Sequence, residues 1–292
     1  MTPVSRGRKP KKTKQAKPMG RLELPPLDAV EECDCPACRG VDPDVDELVD
    51  GFLASAADAR CSDDPYDAEL FGATVVSLSR LGPGPDDALL EIIQPVVEER
   101  ATEDAVALLL AVGAVAPGEV GRAAASAGTR LATAGLQRPR WAGELTMPVT
   151  FDEGLRLAHP SSELSVLAGV FTRAQRSHAF LVIVDEEDRG AAQDIVTLDA
   201  ENLPEALEML EADARREGIE LARESLGPAE FRREAGAALD ARAAHERDLD
   251  FLDAAEEMRA EEPDIPPYPV LAAMLRARLN TLPEPVTVSP TG

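Results

Sequence analysis

The chain has 292 residues, 54 acids against 30 bases, a formal net charge of −24, 44% hydrophobic residues and only 3% aromatics. That is enough apolar material for one large or two ordinary domains, with a core built from Leu, Val, Ile and Ala. Scarce aromatics speak against a base-stacking surface for single-stranded nucleic acid, and the acidic excess against a nucleic-acid or anionic-membrane face on the body.

The charge is unevenly placed. The first 21 residues hold Arg6, Arg8, Lys9, Lys11, Lys12, Lys14, Lys17 and Arg21 and no acid, whereas the other 271 set 22 arginines against 54 acids and contain no lysine. A body that uses arginine alone and is rich in Ala, Gly and Pro reads as the codon usage of a GC-rich genome, so the missing lysines carry no functional message. Residues 1 to about 30 combine charge and proline without an apolar period and are expected to be disordered. Such a basic arm can contact RNA or DNA through phosphates, with an affinity that falls steeply with salt; it can equally be a solubilising tail. No apolar segment follows it, and no run approaches about 18 apolar residues. Neither a signal peptide nor a membrane span is expected, and the expected compartment is the cytoplasm. There the four cysteines should be reduced thiols or metal ligands.

Those cysteines, Cys33, Cys35, Cys38 and Cys61, fall within 29 residues. Cys35-Pro-Ala-Cys38 has the spacer that points two sulfurs at one ion, Cys33 is near enough to be a third ligand, and a structural zinc wants four. Cys61 is the available fourth, but geometry resists. Val45, Leu48, Val49, Phe52, Leu53 and Ala56 predict a helix over 45–60, about 24 Å long. Six extended residues, 39–44, reach at most about 20 Å back along it. Zinc on these four cysteines and plain thiols both stay open.

Helices dominate the next segment. Asp64-Pro65 is an N-cap followed by proline at the first helical position, and Tyr66, Leu70, Phe71, Val75 and Leu78 form a buried stripe ahead of the GPGP break at 82–85. A second helix from about Asp86 is expected to bend or restart near Pro95. A third carries Val106 to Val112, and a fourth covers the Ala-rich 119–135. Pairs of about 35 residues match helical-hairpin repeats, so stacked hairpins offering a surface to a protein partner are one expectation. Around Trp141 the pattern lapses and 141–162 reads as a linker or the edge of the next domain. Trp141 could mark a ligand pocket, or simply plug the join between domains.

The most decisive stretch is Ser177 to Asp185. Six consecutive apolar residues, Ala179 to Val184, between polar flanks read as a strand buried on both faces. Leu164 to Phe171 should be a strand before it. After the turn at 186–190, Asp194 to Leu198 should be an antiparallel third. A helix over 204–217, a strand over 219–225, a helix from Pro228 to about His245 with a continuation over 247–260, and a helix over 270–280 complete a small mixed or antiparallel sheet covered on one face by helices.

Chemistry is sought and mostly missing. The phosphate-loop, dinucleotide, nucleophile-elbow and HExxH patterns are absent. The three histidines are His159, His178 and His245. His178 and Asp185 stand at opposite ends of one strand, about 23 Å apart, so another segment would have to supply a partner. Asp185, Glu186, Glu187, Asp188 and Asp194 crowd a hairpin turn that could hold a divalent ion for hydrolase or nuclease chemistry, or be a solvated acidic turn.

Taken together, the basic arm, CDCPAC, DDPYDAELFGA and the hairpin SHAFLVIVD-EEDRG-DIVTL resemble an uncharacterised family of proteins from high-GC bacteria with no assigned activity, so the resemblance implies no catalytic residue and no substrate. In that family the hairpin turn tends to be glycine-rich, which EEDRG is not. The reading is an α+β protein: a basic arm with the Cys cluster over 1–40, a helical domain over 41–140, a linker over 141–162, an α+β domain over 163–282 and a disordered tail over 283–292. Its expected role is non-catalytic binding or regulation, with a metal-dependent hydrolase using 185–194 as the alternative.

Overall fold

The computed structural model describes residues 45–80, 88–159, 163–246, 258 and 265–285. Residues 1–40, including Cys33, Cys35 and Cys38, lie outside the described residues, as do the 82–85 break, most of the 247–260 continuation and the last seven residues.

The fold is α+β. Helix α1 (Val45–Cys61) buries Val49, Phe52, Ala56 and Ala59. Asp64 caps α2 (Pro65–Ser79) by accepting from the Tyr66 amide at 2.9 Å. α3 (Ala88–Arg100) continues through Pro95 as one helix, so of the bend or restart expected there the restart does not occur. Thr102 caps α4 (Glu103–Val115), accepting from the Ala105 amide at 3.1 Å. α5 (Gly118–Thr133) and the short α6 (Ala142–Leu145) follow.

α4 is apolar on all sides, which marks a helix destined for the middle. Eight of its residues are buried, and α1, α2, α3 and α5 all pack on it. This corrects the expectation of stacked hairpins: in a linear stack each hairpin meets only its neighbours, whereas here one helix is shared. Glycine permits the close approach. A Cβ on Gly72 of α2 would collide with the Ala111 backbone oxygen, and one on Gly113 would meet the Ala125 Cα at 2.8 Å.

Five antiparallel strands form one sheet in the order β4-β3-β2-β1-β5: β1 (Thr150–Ala158), β2 (Leu164–Arg173), β3 (Arg176–Asp185), β4 (Ala191–Asp199) and β5 (Ala222–Ser225). The nonamer beginning at Ser177 is β3, a central strand paired on both edges. Strand β1 corrects the linker expectation for 141–162. Its alternation is broken by a register shift between Phe151 and Glu153, and the exposed Asp152, Glu153 and neighbouring Gly154 hide the period.

Both faces of the sheet are covered, where one was expected. Phe180, Val182 and Val184 of β3 join a hydrophobic cluster that runs from α1 through α2, α4 and α5 to α8 (Pro228–Glu246) and α9 (Tyr268–Leu279). Ala179 and Leu181 face the other way, onto a smaller cluster closed by Leu203 and Leu207 of α7 (Leu203–Arg216). Opposed packing explains why the run is apolar throughout. The helices and the sheet therefore share one core. Trp141 is fully buried and donates from Nε1 to the Ala59 carbonyl of α1 at 2.9 Å, a contact inside the helical part.

Candidate functional site

Helix α2 is the wall between helices and sheet, and its side chains carry the polar contacts across the join. Tyr66 stacks on His178 of β3, ring centroids 4.3 Å apart and planes at 19°, and its hydroxyl meets the Thr197 hydroxyl of β4 at 2.5 Å. One turn on, Glu69 is 4% exposed and accepts from Arg173 of β2 through one oxygen and from Arg278 of α9 through the other. Burial pushes the Glu69 carboxyl up from the ordinary glutamate range, and the two guanidiniums pull it back. Burial likewise pushes His178 down, against the raising pull of Asp64 and Asp199. These groups are held chiefly by one another, which marks a structural lock, although the Arg173 Nε is buried without an acceptor.

Among the described residues, those singled out from sequence do not converge. Cys61 is the last residue of α1 and exposed, while its three proposed companions lie outside the described residues. In the acidic turn, Asp185 accepts from the amides of Glu187 and Asp188 at 2.9 and 3.0 Å. Glu186 takes Arg156 at 2.8 Å and the Ser165 hydroxyl at 2.6 Å, and Asp188 faces His245 at 3.2 Å. Asp194 accepts from the Ile195 amide at 2.7 Å. These carboxylates are spread over separate structural tasks, and among the described residues no group of three His, Cys, Asp or Glu is arranged for a metal ion. The carboxylate of Asp199 on β4 lies 3.9 Å from His178 Nε2, beyond hydrogen-bonding distance.

A different place holds uncommitted charge. The ends of α2, α4 and α9 and one face of α8 enclose an open cavity of about 540 Å³. Arg232, Arg233 and Asp240 fall on one face of α8, Arg276 and Asn280 on one face of α9, and Arg80 follows the last residue of α2. Four guanidiniums thus meet one carboxylate among the described lining residues, in a chain with nearly twice as many acids as bases. The four differ in what already holds them. Arg276 pairs with Asp240 at 2.7 Å, Arg233 with Glu234 at 2.9 Å, and Arg232 donates to the Leu282 carbonyl at 2.5 Å. Arg80 makes no side-chain hydrogen bond or ion pair among the described residues, and its Nε is buried without an acceptor.

Three helices end at this cavity with their carbonyls, and arginine is a common neutraliser of such ends. Arg232 meets a carbonyl just past one of these ends, that of Leu282 after α9. Among the described residues no carbonyl meets the Arg80 side chain. A buried Nε–H without an acceptor is costly, and unpaired groups can mark a place where a ligand completes them; Arg156 and Arg173 also have a buried Nε of this kind, but each pairs with a carboxylate through another nitrogen. Sequence reasoning missed this pocket because each arginine, taken alone, reads as a solvated surface charge. The available signal was Arg80 directly before a helix-breaking stretch, with RARLN closing the last helix.

Compared with known proteins, the chain matches no family model, no curated protein and no solved structure.

Proposed function

We propose that this protein is a non-catalytic binding protein that holds an anionic ligand, a phosphate or carboxylate, between α2, α8 and α9. One observation carries the reading: Arg80 lines the cavity, makes no side-chain hydrogen bond or ion pair among the described residues, and has a buried Nε without an acceptor. Arg232 beside it is held by a neutral carbonyl only, so its charge is also uncompensated by any carboxylate among the described residues. A planar guanidinium fork matches phosphate or carboxylate geometry, and two of them discriminate strongly for an anion. The described lining offers donors and apolar walls, with its single acid tied to Arg276, an arrangement that suits retention of a ligand. Calorimetric titration with inorganic pyrophosphate tests the reading. Binding that weakens with added salt and falls about tenfold or more in Arg80→Leu is expected. No heat at millimolar pyrophosphate would remove it.

Other elements of the role rest on sequence. A zinc ion on Cys33, Cys35, Cys38 and Cys61 is tested by metal analysis of protein purified without chelator, and a zinc content below about a tenth of an equivalent would end it. The arm over 1–21 is assigned a weak RNA or DNA contact, whose test is loss of low-salt retention on a phosphate matrix when it is deleted. A protein partner on the helical half has Ile92 of α3, 55% exposed, as its natural contact. We place the protein in the cytoplasm; among the described residues no helix is long and apolar enough to cross a membrane.

A further inference from the structure

We infer that the ligand of the arginine-lined pocket is an anionic head group on an aliphatic chain, such as an alkyl phosphate or a fatty acyl carboxylate, an assignment that rests on the anion-binding reading above. A lone oxyanion needs a small fraction of about 540 Å³, and that volume falls among cavities that take whole small molecules. Beside Arg233, Asn280 and the paired Arg276 and Asp240, the rest of the described lining is aliphatic: Val76, Val115, Leu279 and Ala277 with Pro117 and Pro285. Val76 and Leu279 are themselves anchored in the main core, so these walls are fixed. Gly236, Ala237 and Ala273 keep the flanks of α8 and α9 bare of bulk, which leaves the groove between the helices open.

A nucleotide is the obvious rival for a phosphate-binding pocket of this size. Base recognition uses aromatic stacking or a set of amide and carboxylate partners. Among the described lining residues there is no aromatic side chain, and Asn280 is the lone side-chain amide. The one carboxylate there, Asp240, is taken by Arg276, so the described walls favour methylene groups over a purine. Arg80 and Arg232 take the head group, and the aliphatic wall takes the chain. The same chemistry could reach the pocket as a free molecule in solution or as a bilayer lipid. We assign the free molecule, because a body with 54 acids is repelled by an anionic surface.

Titration of the full chain with inorganic phosphate, octyl phosphate below its micellar concentration and adenosine monophosphate tests the assignment, in wild type, Arg80→Leu and Ala237→Phe. Ala237 is exposed on α8, so phenylalanine there fills the groove without disturbing the core, and an unchanged melting curve verifies it. Octyl phosphate should bind roughly ten- to a hundredfold tighter than inorganic phosphate. The nucleotide should gain nothing over phosphate, Ala237→Phe should erase the octyl advantage alone, and Arg80→Leu should weaken all three ligands. Equal affinity for octyl phosphate and phosphate, or a tighter nucleotide, would overturn the aliphatic assignment while leaving the anion reading intact. No binding of any of the three to the wild type would overturn both. Co-sedimentation with phosphatidic acid vesicles that Arg80→Leu abolishes would overturn the assignment to a free molecule.

Discussion

Glu69 and Arg278 stand 209 positions apart in the chain and meet in its interior, where Nη2 of Arg278 donates to Oε2 of Glu69 and both side chains are almost sealed from water. With Arg173 on the other carboxylate oxygen, they tie α2, β2 and α9 together at one point. A buried triad of this kind adds little net stability over a well-packed apolar replacement, but breaking it is expensive.

Replacing Glu69 with Gln therefore leaves two buried guanidiniums facing each other without a counter-charge. The expected loss is roughly 3–5 kcal/mol in chemical denaturation. The triple replacement Glu69→Leu, Arg173→Met, Arg278→Met should recover most of it, since no charge is then stranded. A Glu69→Gln protein as stable as wild type would show that the triad is hydrated and loose.

Stability should fall in mild acid through His178. Burial under Tyr66 lowers its affinity for a proton below the ordinary value of 6.5, so the unfolded chain binds the proton more readily than the native one. The contribution of neutral His178 is present above pH 6.5 and is lost as the pH falls from there toward the depressed native value. Asp64 and Asp199 oppose the shift, and Arg278 and Arg176 reinforce it. A His178→Phe protein should show a flatter stability profile across that window. The same slope in both proteins would assign it to other groups.

The turn between β2 and β3 should be improvable. Ala174 and Gln175 both adopt left-handed backbone angles, φ 51° and 67°, as a two-residue hairpin turn demands, and neither is the Asn or Gly such turns favour. The conformation is imposed from outside: Arg173 is held by Glu69, and Arg176 by Asp64 and Glu144 at 3.3 and 3.2 Å. Ala174→Asn with Gln175→Gly should add about 1–2 kcal/mol and raise the melting temperature by a few degrees. An unchanged melting temperature would mean the strain is already absorbed.

Arg80 should cost the protein stability. Its Nε is a buried donor without an acceptor, so Arg80→Leu, which retains the apolar part of the side chain, should stabilise by roughly 1–3 kcal/mol in ligand-free protein. An arginine serving only the carboxyl end of α2 predicts the opposite sign. Thermal denaturation of the two proteins side by side distinguishes them.

How much of this was legible beforehand depended on whether the signal was local. Asp64-Pro65 announced α2, and the run Ala179 to Val184 announced a strand, because its two faces meet two separate apolar clusters. β1 escaped because the shift after Phe151 spoils alternation where a reader looks for it. The two-sided cover of the sheet escaped because α7 has the ordinary amphipathic pattern, which fixes that it packs but not on which face. The pocket was the least legible. Arg80, Arg232 and Arg276 come from three distant helices, and only the fold shows that, of these three, Arg80 is the one without a side-chain partner among the described residues.

A crystal of the full chain soaked in tungstate tests the anion pocket most directly, because the heavy oxyanion identifies itself by anomalous scattering. The account predicts a tungstate in the cavity between α2, α8 and α9, within hydrogen-bonding distance of the guanidiniums of Arg80 and Arg232. Tungstate found elsewhere on the protein, with this cavity holding none and Arg80 turned to a carbonyl or carboxylate of the chain itself, would contradict it.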